Sequence, residues 1–351
     1  MEQMTPKERL YATLYRQEVD RIPVAQPLQT GTVELMESCG AFWPAVHSNA
    51  DLMAALSYEA HVRIGFESVR VPFDVNVESE ALGCVLDYQK GSRKGLDIQP
   101  SVKTAALSSL EELEAIPDPD PQRSGRMPVV LQAIRLLRQR VGPDVPILSA
   151  VVGPFMVAGQ IRGVDPFMRE LMREPDFALR VIEKSYRACL AYAQAQVEAG
   201  TDVVVIVDAS ASPDLISPAQ FDKFAKPYTK ALTASLPVPT ILHICGRSGP
   251  SLTRMAECAH GVSIDSLVPM REAKETIGER VAVCGNVDVN NTLLFGEPDD
   301  VATEVRRIID EGTDLLTTSC GISPLTETRN LVAMVETAKN YATQVAKTGA
   351  H

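Results

Sequence analysis

Eight short apolar runs, rich in β-branched residues and separated by longer stretches of helical character, constrain this chain more than any other feature. They fall at residues 22–28, 68–73, 146–151, 202–208, 240–245, 261–266, 281–285 and 314–318. Most are apolar at successive rather than alternate positions, as expected of parallel strands buried on both faces. Parallel strands need long crossover connections, and the intervening stretches read as helices. Residues 176–199 run to Gly200, a helix stop. Ser217-Pro218 supplies an N-cap and a first-turn proline for a helix to about residue 235. Residues 299–311 end at Gly312, and residues 325–347 form the last helix. The pattern predicts a (β/α)8 TIM barrel. Residues 5–17 add an N-terminal helix before the first strand. The stretch from about 77 to 124, with Pro100, Pro117, Pro119 and Pro121, is an insertion between strands two and three, with a small hairpin around 83–88. A chain of 351 residues suits one such barrel, so residues 1–351 read as a single domain.

The formal charge of −11 and the lack of a basic run argue against nucleic acid and against an anionic membrane surface. The apolar runs are strand-length, too short to span a bilayer, and no apolar leader follows Met1. Seven scattered cysteines, an odd number, fit reduced thiols better than a disulfide framework, which predicts a cytoplasmic protein.

The chemistry is concentrated at two strand ends. Ile241-Leu242-His243-Ile244-Cys245-Gly246 closes the fifth run, and Thr318-Ser319-Cys320-Gly321 follows the eighth. Residues two apart on a strand share a face, so His243 and Cys245 can address one ion. A lone His-x-Cys is common by chance, and buried Cys often acts as a small hydrophobe. The third thiol, again followed by Gly at a strand end, moves the reading to a metal. One imidazole and two thiolates suit Zn²⁺, and three protein ligands leave a fourth position for chemistry. Zinc carrying two thiolates is a poor acidifier of water and is better suited to hold a substrate thiol as thiolate. In a barrel the strand ends share the catalytic face, where Gln26, Gln29, Asp74, Asp208, Asp265 and Asn286 also fall.

These motifs, together with Ser212-Pro213-Asp214-Leu215, Gln29-Thr30-Gly31, Lys7-Glu8-Arg9-Leu10 and Gly285-Asn286-Val287, resemble the zinc-dependent methylcobamide:coenzyme M methyltransferases. That group lies within the uroporphyrinogen decarboxylase superfamily of barrels, and the similarity runs along nearly the whole chain. The resemblance implies a partner protein carrying a methylated corrinoid. It also implies a small thiol acceptor such as coenzyme M, whose thiolate attacks the methyl carbon and leaves Co(I). His243, Cys245 and Cys320 are then both zinc ligands and the catalytic centre. Related thiol-alkylating zinc barrels place a displaceable carboxylate at the end of strand six, usually Glu, which makes Asp265 a candidate fourth ligand, one methylene shorter.

Gln29, Thr30, Asp208 and Asn286 are candidate substrate-binding residues, with helix capping or loop hydrogen bonding as the plain alternative. Arg70, inside a strand, is expected to pair with a carboxylate. Arg247 could meet an anionic acceptor, and Met156 could line the pocket. Uroporphyrinogen decarboxylation itself is disfavoured, because the segment from Arg21 to Leu28 lacks the arginine cluster that holds that substrate's carboxylates. A first-step methyltransferase that loads the corrinoid from a methoxy or other donor stays open, as do a corrinoid-to-folate enzyme and a zinc-stabilised binding scaffold. A homo-oligomer is compatible with the sequence.

Overall fold

A computed structural model of the chain describes residues 3–88 and 99–348. Its strands are β1 (Val69–Val71), β2 (Val85–Asp87), β3 (Ser101–Thr104), β4 (Ile147–Val152), β5 (Val203–Val207), β6 (Thr240–His243), β7 (Gly261–Ser263) and β8 (Ala282–Cys284). Six of them form one sheet in the order β1-β4-β5-β6-β7-β8, parallel at every pairing. They are the second to seventh strands of the expected barrel.

The first and eighth places hold extended segments rather than regular strands, which corrects the expectation for residues 22–28 and 314–318. Pro23 and Pro27 bring no N–H to a ladder, so pairing there is sparse. Leu316 N donates to Pro23 O at 3.1 Å and Glu67 N to Val24 O at 2.8 Å. Single bridges join Cys284 to Leu315 and Val287 to Thr318. The Gln26 side chain supplies much of the closure: Oε1 accepts from Thr317 Oγ1 at 2.6 Å, and Nε2 donates to Thr318 Oγ1 at 2.5 Å. A glutamine replaces the missing backbone bonds.

Alternation sorts the core into two layers. Val203, Val205, Val207, Leu148, Ala150, Ile241, Ala282 and Leu315 fill the barrel, while Val204, Ile206, Leu242, Val151 and Val283 pack outward against helices. The N-terminal helix, Pro6–Leu14, begins with a capping box in which Glu8 N donates to Thr5 Oγ1 and Thr5 N to Glu8 Oε2. Its Leu10 and Leu14 belong to the inner layer and plug the barrel floor. Gly261 is required there, since a Cβ would stand 2.9 Å from Leu14.

Helices Pro175–Ala199, Pro298–Asp310 and Thr328–Thr348 lie close to expectation. The helix expected from 217 to 235 is instead divided into Pro218–Gln220, a wide π turn at Phe221–Ala225, and Lys226–Ala234. Pro227 cannot donate into the preceding turn, which accounts for the interruption. The insertion carries an antiparallel pair, but β2 pairs with β3 rather than within 83–88. No helix among the described residues is long and apolar enough to cross a membrane.

Candidate metal centre

Parallel register sets the strand ends level. Val152, Val207, His243, Ser263 and Cys284 lie side by side across β4 to β8. His243 continues the inward row of Ile241, and Cys245 follows on the same face. Cys320 arrives from the last extended segment. His243 Nε2 stands 3.1 Å from Cys245 Sγ, and the two sulfurs are 3.5 Å apart. The three donor atoms all fall within 4.8 Å of one another. This grouping of one nitrogen and two sulfurs fits a tetrahedral ion such as Zn²⁺ with one position left for another ligand.

Each donor is fixed from behind. His243 Nδ1 lies 3.0 Å from Ser263 Oγ, leaving Nε2 to face the thiols. After Cys245 the chain turns sharply at Gly246, whose φ of 78° is costly for any residue with a Cβ. Two acids clamp that turn: Gly246 N donates to Asp265 Oδ2 and Arg247 N to Asp214 Oδ2, both at 3.0 Å. The Ser212-Pro213-Asp214 motif therefore holds the Cys245 loop. Beyond Cys320, Thr318 Oγ1 donates to Cys320 O at 2.6 Å, Ile322 N donates to Gln29 O at 3.0 Å, and the Gln29 side-chain amide donates to Ile322 O.

The hydrogen bond between the two sulfurs draws the Cys320 pKa down, with His243 adding to the effect against burial. Cys245 is pushed up by that same bond to Cys320 and by burial.

A cavity of about 580 Å³ opens over the cluster, within the usual range for small-molecule sites. Leu28, Trp43, Phe73, Met156 and Val289 give it an apolar wall, with Gln29, Arg70, Asp265 and Ser266 among its polar groups. Met156 is thus where the sequence placed it. Asp265 is beside the cluster but not among its three donors, and its Oδ1 accepts from Leu267 N at 3.1 Å. Thr30 is buried off the cavity with its hydroxyl unpartnered. Asn286 also lies off the wall, donating to Asp265 O and Val268 O at 3.0 and 2.8 Å. Asp208 is fully buried under Gly153 and accepts from Met156 N at 3.1 Å, capping the helix Pro154–Arg162. Burial raises its pKa to about 7.

Two arginine expectations are corrected. Arg247 is exposed and pairs with Asp214 at 3.3 Å, away from the cavity. Among the described residues Arg70 has no carboxylate within ion-pair distance: Asp74, four positions on, bonds Arg126 at 2.7 Å and lies 3.0 Å from His47. Burial alone would raise Asp74, but Arg126 and His47 outweigh it and hold the carboxyl well below the usual range. Ser263 is not among the expected site residues, and Gln26 is expected only on the strand-end face. Their one signal is a polar side chain interrupting an apolar run, Val262-Ser263-Ile264 or Ala25-Gln26-Pro27.

A (β/α)8 barrel presenting an imidazole and two thiols to an apolar cavity at its strand ends defines a class of barrel enzyme with a thiol-rich candidate metal centre. The uroporphyrinogen decarboxylase (URO-D) family matches residues 5–341. The methylcobamide:CoM methyltransferase MtbA of Methanosarcina mazei is 38% identical over 346 residues, covering 97% of this chain and 99% of the relative. MtaA of Methanosarcina barkeri, of the same description, is 38% identical over 343 residues with the same coverage. A solved methyltransferase from Methanosarcina mazei superposes with a TM-score of 0.92 at 38% identity, covering 97% of this chain and 99% of that one. The chain belongs to the uroporphyrinogen decarboxylase family and, within it, to the methylcobamide:CoM methyltransferases.

Proposed function

We propose that this protein is a zinc-dependent methyltransferase that moves a methyl group from a corrinoid carried by a partner protein to the thiol of coenzyme M. The observation that carries this is the convergence of His243, Cys245 and Cys320 on one cavity wall, in a chain aligned end to end with enzymes so named. Those three residues would hold Zn²⁺, which when bound lowers the pKa of an acceptor thiol and presents it as a thiolate. Ser263 fixes the imidazole so that Nε2 points at the cluster. Asp265 and Asp214 hold the Cys245 turn, and Gln29 and Thr318 hold Cys320. We assign Asp265 and Asn286 to positioning, because both carboxylate oxygens of Asp265 already accept backbone N–H groups and Asn286 supports it from behind. Apolar walls around the cluster limit water, which favours sulfur as the nucleophile. Residues 1–351 act as one domain in the cytoplasm, and the corrinoid protein docks at the open end of the barrel.

The test is methyl transfer from methylcobalamin to 2-mercaptoethanesulfonate by purified, zinc-loaded protein. One zinc per chain and thiol-dependent demethylation are expected, and Cys320→Ala should lose both while its melting curve stays cooperative. Full zinc content and activity in Cys320→Ala would refute the assignment.

A further inference from the structure

We propose that Arg70 is the anion anchor of the acceptor site, fixing the negatively charged far end of the thiol and selecting acidic thiols over neutral ones. The proposal rests on the thiol-acceptor function above and adds the residue that reads the acceptor's other end.

Register shows where Arg70 points. It pairs with Leu148, which lies inside the barrel, while its neighbours Val69 and Val71 pack outward. The side chain therefore enters the barrel from β1, three strands round the sheet from β6 and His243. Among the described residues, Arg70 is the one Arg or Lys that lines the cavity shared with His243, Cys245 and Cys320. Its Nε donates to Pro27 O at 3.2 Å and its Nη1 to Pro72 O, two carbonyls that aim the guanidinium and neutralise none of its charge.

A buried arginine normally has a carboxylate partner. Among the described residues the acid whose charge reaches Arg70 is Asp74, and it is already bonded to Arg126 and faces His47. Asp265, on the same cavity wall, accepts from Gly246 N and Leu267 N. Burial lowers the Arg70 pKa only to about 10, so the group stays charged near neutrality. An unpaired buried cation facing a substrate cavity is matched by an anionic ligand group. A planar guanidinium suits an oxyanion, sulfonate or carboxylate. With two thiolates and a neutral imidazole around Zn²⁺, the opposite wall carries no net charge to satisfy it. The acceptor of best fit is a short thiol whose sulfur meets the cysteine cluster and whose oxyanion meets Arg70.

Ethanesulfonate, which has no thiol, isolates the anchor from the chemistry. Calorimetry should show it binding the wild-type protein, with about 10- to 100-fold weaker binding by Arg70→Gln and an intermediate loss in Arg70→Lys. In methyl transfer from methylcobalamin, the kcat/KM ratio of 2-mercaptoethanesulfonate to 2-mercaptoethanol should be large in the wild type and collapse towards one in Arg70→Gln. Should that variant fail to fold, the wild-type ratio decides, because a ratio near one overturns the anchor. Equal binding of ethanesulfonate by wild type and Arg70→Gln, or none by the wild type, also overturns it and leaves the thiol function standing if both thiols are methylated. Transfer to neither thiol removes the underlying function, and the anchor falls with it.

Discussion

Ser263→Ala tests whether the imidazole is held ready for a metal. Ser263 and His243 are both buried, at 0% and 1% exposure, so water cannot replace the lost hydroxyl. A metal held at Nε2 leaves the ring proton on Nδ1, which would donate to Ser263 Oγ across 3.0 Å. Removing the acceptor leaves a buried N–H unsatisfied, which costs about 1–3 kcal/mol. Loss of a partner behind a metal-binding His weakens metal affinity by about 10- to 100-fold, or about 1.4–2.8 kcal/mol, the same range. Competition between the protein and a chromophoric chelator gives the zinc affinity directly. A denaturant titration of the metal-free protein gives the cost to folding separately. Ser263→Thr keeps the hydroxyl and should recover most of the affinity. Zinc affinity unchanged in Ser263→Ala would refute the idea that this bond orients the ring.

Two further perturbations probe the frame of the site. Gly246→Ala forces a side chain onto a backbone at φ 78° and puts its Cβ 2.3 Å from Asp214 Oδ2, so it should destabilise the fold by about 1–3 kcal/mol and lower zinc content, read by denaturation and metal analysis. Asp208→Asn concerns pH. Burial raises the folded-state pKa of Asp208 from 3.8 to about 7, so its contribution to stability is fully present below the unfolded value and is lost as pH rises through about 7. The variant cannot ionise, and its melting temperature should fall less than that of the wild type between about pH 5 and pH 8. Glu78, likewise raised to about 7 by burial, keeps the remaining dependence. An equal fall in both proteins would show that Asp208 is not the buried acid responsible.

What the sequence determined on its own were properties set over a few residues. Runs of β-branched residues between helical stretches specify parallel strands and their crossovers. A period of two puts His243 and Cys245 on one face without knowledge of the rest of the chain. Capping chemistry at Thr5 and Glu8 marks the first helix locally. The resemblance in the motifs reached the family because those motifs lie at the strand ends that carry the candidate metal centre. Tertiary structure decided which distant groups meet. Cys320 lies 75 positions from Cys245, and only barrel closure brings the sulfurs to 3.5 Å. That closure uses the side chain of Gln26, since Pro23 and Pro27 deprive the first strand of ladder bonds, and no periodicity reveals such a substitution. Asp208 caps a helix that precedes it in the chain, and Asp265 clamps a turn rather than joining the three donors. Arg70 reads as half of an ion pair until Arg126, at the start of the helix Met127–Val141, takes Asp74 and leaves the guanidinium facing the cavity. Local order follows from backbone geometry and side-chain period; competition for a shared partner is settled only when the chain has folded.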